Sequence, residues 1–276
     1  MRIDQYPPQE PMSENMQAYH DHLMRQADES RAHEAQYGDD PYQSIMVFPA
    51  EKPNGTVLMY LHGGGWTNGY KEWMAFMAPA LNALGITYAT AGYRLAPRHV
   101  FPAGLQDCGE ALKWLAANVK QFGGDPDMMF VGGHSAGGHY AALLATADSL
   151  PDGTDVRPLI RGSAPVSGSF YFGEESGMAV RPRFLGAPES GNEVHASPLR
   201  RLSGPTCPFL LTWGEKDFPH LIVQAQQMSD ALQRQGTRVD TLVLPRHNHF
   251  TASHAAGEVD GLWPDRLSKW MQSIVN

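Results

Sequence analysis

The stretch MMFVGGHSAGGHYAALLAT, residues 128–146, places a serine between an apolar segment that predicts a strand and an Ala-rich segment that predicts a helix. Residues 133–137 of this stretch read Gly-His-Ser-Ala-Gly, a G-x-S-x-G motif. Glycines flank the serine of such a turn because larger side chains would collide with the neighbouring strand or helix. The turn lifts the Ser135 hydroxyl to the C-terminal edge of the sheet, where parallel α/β proteins bind ligands. We therefore predict that Ser135 is a nucleophile.

On both sides of this motif, segments typical of strands and helices alternate along the chain. Strands are predicted at 42–50, 55–61, 85–91, 128–133, 159–166, 207–213 and 238–245, and helices at 12–36, 72–84, 103–121, 136–147, 220–235 and 258–275. This alternation favours an α/β fold, with a mostly parallel sheet covered by helices on both faces. We predict one domain, 1–276, in which 1–40 is an N-terminal helical segment and 167–205 is an irregular excursion over the site.

The residues that would activate Ser135 are expected after later strands. A serine hydroxyl needs a base to take its proton, and the base needs an acid to orient it. In chain order the acid precedes the histidine. Glu215 and Asp217 follow the strand at 207–213, and we favour Asp217, because a residue further into the loop can turn back over the sheet edge. His247 and His249 follow the last strand, and we favour His249 as the base.

A glycine loop, His-Gly-Gly-Gly-Trp at residues 62–66, follows the strand at 55–61. Acyl transfer builds negative charge on a carbonyl oxygen, and backbone amides without obstructing side chains can approach that oxygen closely. We predict an oxyanion hole formed by the amides of Gly64, Gly65 and Ala136, with His62 hydrogen-bonded within the loop. The loop lacks the phosphate-binding pattern G-x-x-x-x-G-K-[ST]. His247 and His249 lack a nearby carboxylate or cysteine cluster, so neither a metal nor a cofactor is predicted.

Composition excludes several other classes of function. The formal charge of −8 is spread along the chain without a run of Lys or Arg, which argues against a nucleic-acid partner or an anionic membrane surface. No stretch approaches the ~18 consecutive apolar residues of a spanning helix. The polar N-terminal residues lack the apolar region of a signal peptide, so we expect a cytoplasmic protein.

Cys108 and Cys207 are expected to pack in the core. The sequence also allows a homodimer.

These motifs together resemble the α/β-hydrolases, in the group shared by kynurenine formamidase (arylformamidase) and the hormone-sensitive-lipase-like esterases. The resemblance runs from about residue 37 to the end of the chain. The HGGG loop and the segment YRLAPRHVFPAGLQDCGEALKWLAANVKQFGGDP, residues 93–126, are similar to the lipase-like esterases. The segments GHSAGGH at 133–139, VSG at 166–168, WGEKDFPHLIVQAQQM at 213–228 and NHF at 248–250 look more like the formamidases.

The resemblance implies that Ser135, Asp217 and His249 form a catalytic triad. A large cap domain is not expected, because only about forty residues separate the predicted strands at 159–166 and 207–213. Gly65 departs from the formamidase pattern, which often has a bulkier residue there. The expected function is that of a serine hydrolase cleaving small carboxylic esters or activated amides through an acyl-enzyme. The alternatives are an arylformamidase acting on N-formylkynurenine-type substrates and an inactive, ligand-binding member of the fold. The predicted substrate-binding residues are aromatic: Trp66, Tyr70, Tyr171, Phe172 and Phe218.

Overall fold

A sheet of eight strands runs through the computed structural model, which describes residues 3–176, 179–180 and 182–275. The strands are β1 (His33–Gln36), β2 (Ser44–Phe48), β3 (Gly55–Leu61), β4 (Thr87–Ala91), β5 (Gly124–His134), β6 (Gly162–Val166), β7 (Phe209–Lys216) and β8 (Val239–Asn248). Their order across the sheet is β1-β2-β4-β3-β5-β6-β7-β8. The pairs β1–β2 and β2–β4 are antiparallel, and all the others are parallel. The prediction of a mostly parallel sheet is confirmed.

Helices cover both faces of this sheet. The α-helices of the described residues are α1 (Glu14–Gln26), α2 (Ala78–Ala83), α3 (Ala103–Asn118), α4 (Ala136–Thr146), α5 (Asn192–His195), α6 (Pro219–Arg234), α7 (His249–Ala255) and α8 (Leu262–Val275). Because successive strand residues point to opposite faces, Val57 and Met59 of β3 join the core cluster that includes α3 and α4. Leu58 and Tyr60 join the cluster on the other face, which includes α8. Residues 56–61 are consequently all buried, as expected for a central parallel strand.

The prediction of one helix over residues 12–36 is wrong in its second half. Helix α1 ends at Gln26, and residues 33–36 form the edge strand β1, in which His33 pairs with Val47 of β2. The sequence of β1, His-Glu-Ala-Gln, has no strand-like alternation, and three of its four residues are exposed. Its conformation therefore depends on pairing with β2 rather than on local preference.

Other differences concern where helices begin. The segment predicted as one helix at 72–84 is a 3₁₀-helix at Lys71–Met77 followed by α2, and the last helix begins at Leu262 rather than at 258. Helix α7 was not predicted; Asn248 and Thr251 form a capping box at its start. The excursion at 167–205 contains only short helices in its described part, while residues 177, 178 and 181 lie outside the described residues.

Two further sequence expectations concern cysteines and membrane spans. Cys108 and Cys207 are both free thiols, with Cys108 buried in the core and Cys207 partly buried against it. Across the described ranges, no helix combines the length and the apolar character needed to cross a bilayer.

Candidate active site

Ser135 lies at the sharp turn between β5 and α4. Its backbone has φ +53° and ψ −114°, and residues that carry a side chain rarely adopt a positive φ. The turn is held by hydrogen bonds from the Ser135 amide to the Val166 carbonyl and from the His139 amide to the Ser135 carbonyl, both 2.9 Å long. A Cβ on Gly133 would overlap the backbone of Gly137, and one on Gly137 would overlap the carbonyl of Leu61. The flanking glycines are therefore required by close backbone contacts.

His249 contacts both Ser135 and Asp217. Its Nε2 atom lies 3.0 Å from the Oγ atom of Ser135, and its Nδ1 atom lies 2.9 Å from Oδ1 of Asp217. Because a carboxylate only accepts, the Nδ1 atom carries the ring proton and donates a hydrogen bond to Asp217. The lone pair of Nε2 then faces the Ser135 hydroxyl, in the orientation that a general base needs.

The carboxylate of Asp217 is buried and fully engaged. Oδ1 accepts from His249 and from the Phe218 amide at 2.8 Å, and Oδ2 accepts from the Ser167 hydroxyl. Burial alone would raise the pKa of Asp217. The hydrogen bond and the charge of His249, together with hydrogen bonds from the Ser167 hydroxyl and the Phe218 amide, outweigh burial and lower this pKa to about 2. Asp217 is therefore ionised throughout the neutral range.

The two alternative residues face elsewhere. Glu215 is exposed and accepts a hydrogen bond of 2.7 Å from the Arg246 amide. The Nδ1 atom of His247 lies 3.0 Å from the Thr251 carbonyl, one turn into α7. The structure thus brings Asp217 and His249, rather than Glu215 and His247, into line with Ser135.

The glycine loop passes beside the serine. The Gly64 carbonyl accepts from the amides of Thr67 at 3.2 Å and Asn68 at 2.9 Å, and Gly64 has φ +117°. A Cβ on Gly64 would overlap the Asn68 carbonyl, so only glycine fits there. The amides of Gly64 and Gly65 donate to no acceptor within the described part of the chain. Ala136 begins α4, where backbone amides lack intrahelical acceptors, so all three predicted amides are free to bind an anion.

His62 lies at the base of this loop. Its Nδ1 donates to the Gly63 carbonyl at 2.7 Å, and its ring stacks on Tyr93 with the centroids 4.2 Å apart. The Tyr93 hydroxyl in turn donates to the His62 carbonyl at 2.7 Å. Burial lowers the pKa of His62 to about 4, which leaves the ring neutral near pH 7.

Two supporting residues were missed by the sequence analysis. Ser167 follows β6 and hydrogen-bonds Asp217; its place at the carboxyl end of a strand was the available signal. His134 precedes the nucleophile, and its Nε2 donates to the carbonyl of His249 at 2.9 Å. Burial lowers the pKa of His134 to about 3, so this ring also stays neutral and fixes the start of α7.

A cavity of about 360 Å³ adjoins the glycine loop. Its described lining residues come from the loop, from the excursion above the sheet and from α6: Gly65, Trp66, Thr67, Ala179, Val180, Arg183, Phe184 and His220. Trp66 is fixed by stacking on Phe184 at 4.3 Å and by its indole N–H, which donates to Nδ1 of His139 at 3.0 Å. This wall of the cavity is therefore rigid and largely apolar.

The other predicted substrate-binding aromatics occupy different positions. Phe218 is 44% exposed, and its ring centroid lies 4.7 Å from that of His249. Phe172 is buried behind Trp66, with the centroids 5.4 Å apart. Tyr70 packs on Tyr6 and Trp73, and Tyr171 lies under the Arg200 guanidinium. Of the five predicted aromatic residues, only Trp66 is among the described residues that line this cavity.

Comparison with known proteins gives both relatives and structural neighbours. The chain is similar to esterase LipC of Mycobacterium tuberculosis, with 31% identity over an alignment of 237 residues that covers 77% of this chain and 58% of that protein. It is also similar to the probable carboxylic ester hydrolase LipM of the same bacterium, with 29% identity over 219 residues, 72% of this chain and 50% of that protein. The chain thus spans between half and three fifths of the length of these curated relatives.

Structural similarity extends over more of the chain than sequence similarity does. The solved structure of EstE1, a thermophilic carboxylesterase cloned from a metagenomic library, has a TM-score of 0.77 and 21% identity, covering 95% of this chain and 97% of that one. This likeness shows the fold. A family described as alpha/beta hydrolase fold matches residues 58–253, which include the nucleophile turn, the glycine loop and both partners of Ser135. The chain therefore belongs to the α/β-hydrolase family.

Proposed function

We propose that this protein is a serine hydrolase that cleaves small carboxylic esters through an acyl-enzyme intermediate. The observation that carries the proposal is the chain of two hydrogen bonds from Asp217 through His249 to Ser135, with donor–acceptor distances of 2.9 and 3.0 Å. A nucleophile, a base and an orienting acid in this arrangement activate a serine for acyl transfer. The relatives LipC and LipM are named as an esterase and a probable carboxylic ester hydrolase, which supports the same reaction.

In the first half of the reaction, Ser135 Oγ attacks the ester carbonyl carbon while His249 Nε2 takes the hydroxyl proton. The carbonyl oxygen becomes an oxyanion, and the amides of Gly64, Gly65 and Ala136 donate hydrogen bonds to it. His249 returns its proton to the departing alkoxide as the carbon–oxygen bond breaks. The products of this half are the free alcohol and the acyl group bound to Ser135.

In the second half, water replaces the alcohol. His249 takes a proton from the water as its oxygen attacks the acyl carbon, and the same amides bind the second oxyanion. The bond to Ser135 then breaks, and His249 returns the proton to Oγ, which releases the carboxylic acid. Asp217 remains ionised in both halves, holds the proton on Nδ1 and stabilises the imidazolium.

We expect the cavity beside the loop, whose lining mixes apolar residues with Thr67, Arg183 and His220, to accept small substrate groups. Its volume of about 360 Å³ lies near the lower end of the usual range for small-molecule pockets. Trp66, Val180 and Phe184 supply apolar surface, and Trp66 is held in place from two sides. We expect short acyl chains and compact alcohols to be preferred.

An arylformamide would pass through a tetrahedral intermediate of the same kind, with His249 protonating a leaving nitrogen instead of an oxygen.

The experiment that tests the proposed function is to measure kcat/KM for p-nitrophenyl acetate, butyrate and octanoate beside N-formylkynurenine. We expect acetate and butyrate to be the best of these substrates. A higher kcat/KM for the formamide would replace ester hydrolysis by arylformamidase activity. An absence of turnover on the whole panel would favour a ligand-binding protein. The homodimer and the cytoplasmic location stay predictions.

A further inference from the structure

The N-terminal residues 6–10 lie against residues 68–69, which follow the glycine loop. This segment is anchored at Tyr6, which is buried. The Tyr6 hydroxyl donates to Oε1 of Glu72 at 2.8 Å and accepts from Nζ of Lys71 at 2.5 Å. Lys71 and Glu72 are themselves buried and paired at 2.6 Å. Because unpairing a buried charge is costly, this cluster fixes where the segment begins.

Gln9 binds the backbone of Gly69, three residues beyond the glycine loop, through both ends of its side-chain amide. Its Oε1 accepts from the Gly69 amide at 2.9 Å, and its Nε2 donates to the Gly69 carbonyl at 2.8 Å. Nε2 also donates to the Tyr42 hydroxyl at 2.9 Å, and Tyr42 donates to the Pro7 carbonyl at 3.0 Å. All polar atoms of the Gln9 side chain are therefore engaged, and its orientation is unique.

Gly69 in turn contacts the residues that begin the loop. It has φ +115°, and a Cβ there would overlap the His62 ring and the Gly63 carbonyl. Asn68, its neighbour, donates its own amide to the Gly64 carbonyl at 2.9 Å. The Asn68 side chain donates to the Glu10 carbonyl at 2.6 Å, a second tie to the N-terminal segment. A shift of residues 68–69 would therefore move the amides of Gly64 and Gly65.

We propose that Gln9 is a positioning residue for the oxyanion hole: by pairing with both polar groups of the Gly69 backbone, it holds the glycine loop in the shape that directs its amides at the reacting oxygen. This inference rests on the proposed function. It assigns to the N-terminal segment a role in the chemical step rather than in binding the substrate. A displacement of about 1 Å in a positioning contact can cost ~10²-fold in rate.

The test compares Gln9→Ala and Gln9→Glu with the matched control Gln17→Ala. Gln9→Glu keeps the size of the side chain but removes the donor to the Gly69 carbonyl, so it serves if the alanine variant fails to fold. Gln17 is exposed on α1, and its side chain donates a hydrogen bond to Asp21 at 2.8 Å. We expect both Gln9 variants to lower kcat for p-nitrophenyl acetate by roughly 10- to 100-fold, with KM within about twofold. Gln17→Ala should match the wild type.

A second measurement does not depend on activity. Hydrogen exchange in the peptide spanning residues 62–70 should become faster in both Gln9 variants and stay unchanged in Gln17→Ala. Wild-type kcat or unchanged exchange in a folded Gln9 variant would overturn the inference. A rise in KM with kcat retained would also overturn it, because it would indicate a role in substrate binding. A wild-type protein without esterase activity would refute the proposed function, while the exchange data would still decide whether Gln9 holds the loop.

Discussion

The His249→Ala variant is expected to hydrolyse p-nitrophenyl acetate roughly 10⁵- to 10⁶-fold more slowly than the wild type in kcat. His249 lies within hydrogen-bond reach of the Ser135 hydroxyl, at 3.0 Å, and in the proposed mechanism it takes and returns a proton in both halves of the reaction. Without it, Ser135 is an ordinary, weakly nucleophilic alcohol. Steady-state rates with a high enzyme concentration give the residual kcat.

His247→Ala is the matched control for that variant. His247 is two residues away, but its Nδ1 donates to the Thr251 carbonyl at 3.0 Å and takes no part in the chain of contacts to Ser135. We expect it to retain activity within about fivefold of the wild type, since surface substitutions usually cost little. A similar loss of kcat in both variants, with both proteins folded, would show that the assignment of the base is mistaken.

Asp217→Asn is expected to lower kcat by roughly 10⁴-fold. The amide that replaces the carboxylate can donate to Nδ1, which would move the proton to Nε2 and leave no lone pair facing Ser135. The pKa of Asp217 is lowered to about 2, so the wild-type carboxylate stays charged until the pH falls to that value. We therefore expect the loss to persist between about pH 7 and 9, where the titration of Asp217 cannot change it.

Glu215→Gln is the control for the acid. Its carboxylate is exposed and accepts a hydrogen bond from the Arg246 amide, which a glutamine oxygen can also accept. Activity close to the wild type is expected, measured by kcat over the same pH range. Should Glu215→Gln lose as much activity as Asp217→Asn, or should the loss in Asp217→Asn vanish at high pH, the role given to Asp217 would be refuted.

The features that could be predicted from the sequence are those with a local signature. The turn at Ser135 is defined by an apolar strand, two glycines and a helix within 19 residues, and each has a steric reason in the structure. The alternation of strands and helices further indicated a parallel sheet, whose strands carry their functional residues at one edge. That rule is why Asp217 and His249 could be proposed from positions 82 and 114 residues beyond Ser135.

The features that could not be predicted depend on contacts between distant segments. Strand β1 has a polar sequence and exists because β2 pairs with it. Gln9 is an ordinary polar residue until the fold brings it to Gly69. The cavity beside the glycine loop is the extreme case, since its walls combine that loop with the irregular excursion, which has no periodic pattern to interpret.

The central claim is that Ser135 is a nucleophile activated by His249, and reaction with a fluorophosphonate probe tests it most directly. Attack by Ser135 Oγ forms an oxygen–phosphorus bond and expels fluoride, so the intact protein should gain one phosphonyl group. Peptide mapping should place this group on Ser135, and His249→Ala should react far more slowly. A folded wild-type protein that stays unmodified, or an adduct on any residue other than Ser135, would contradict the account.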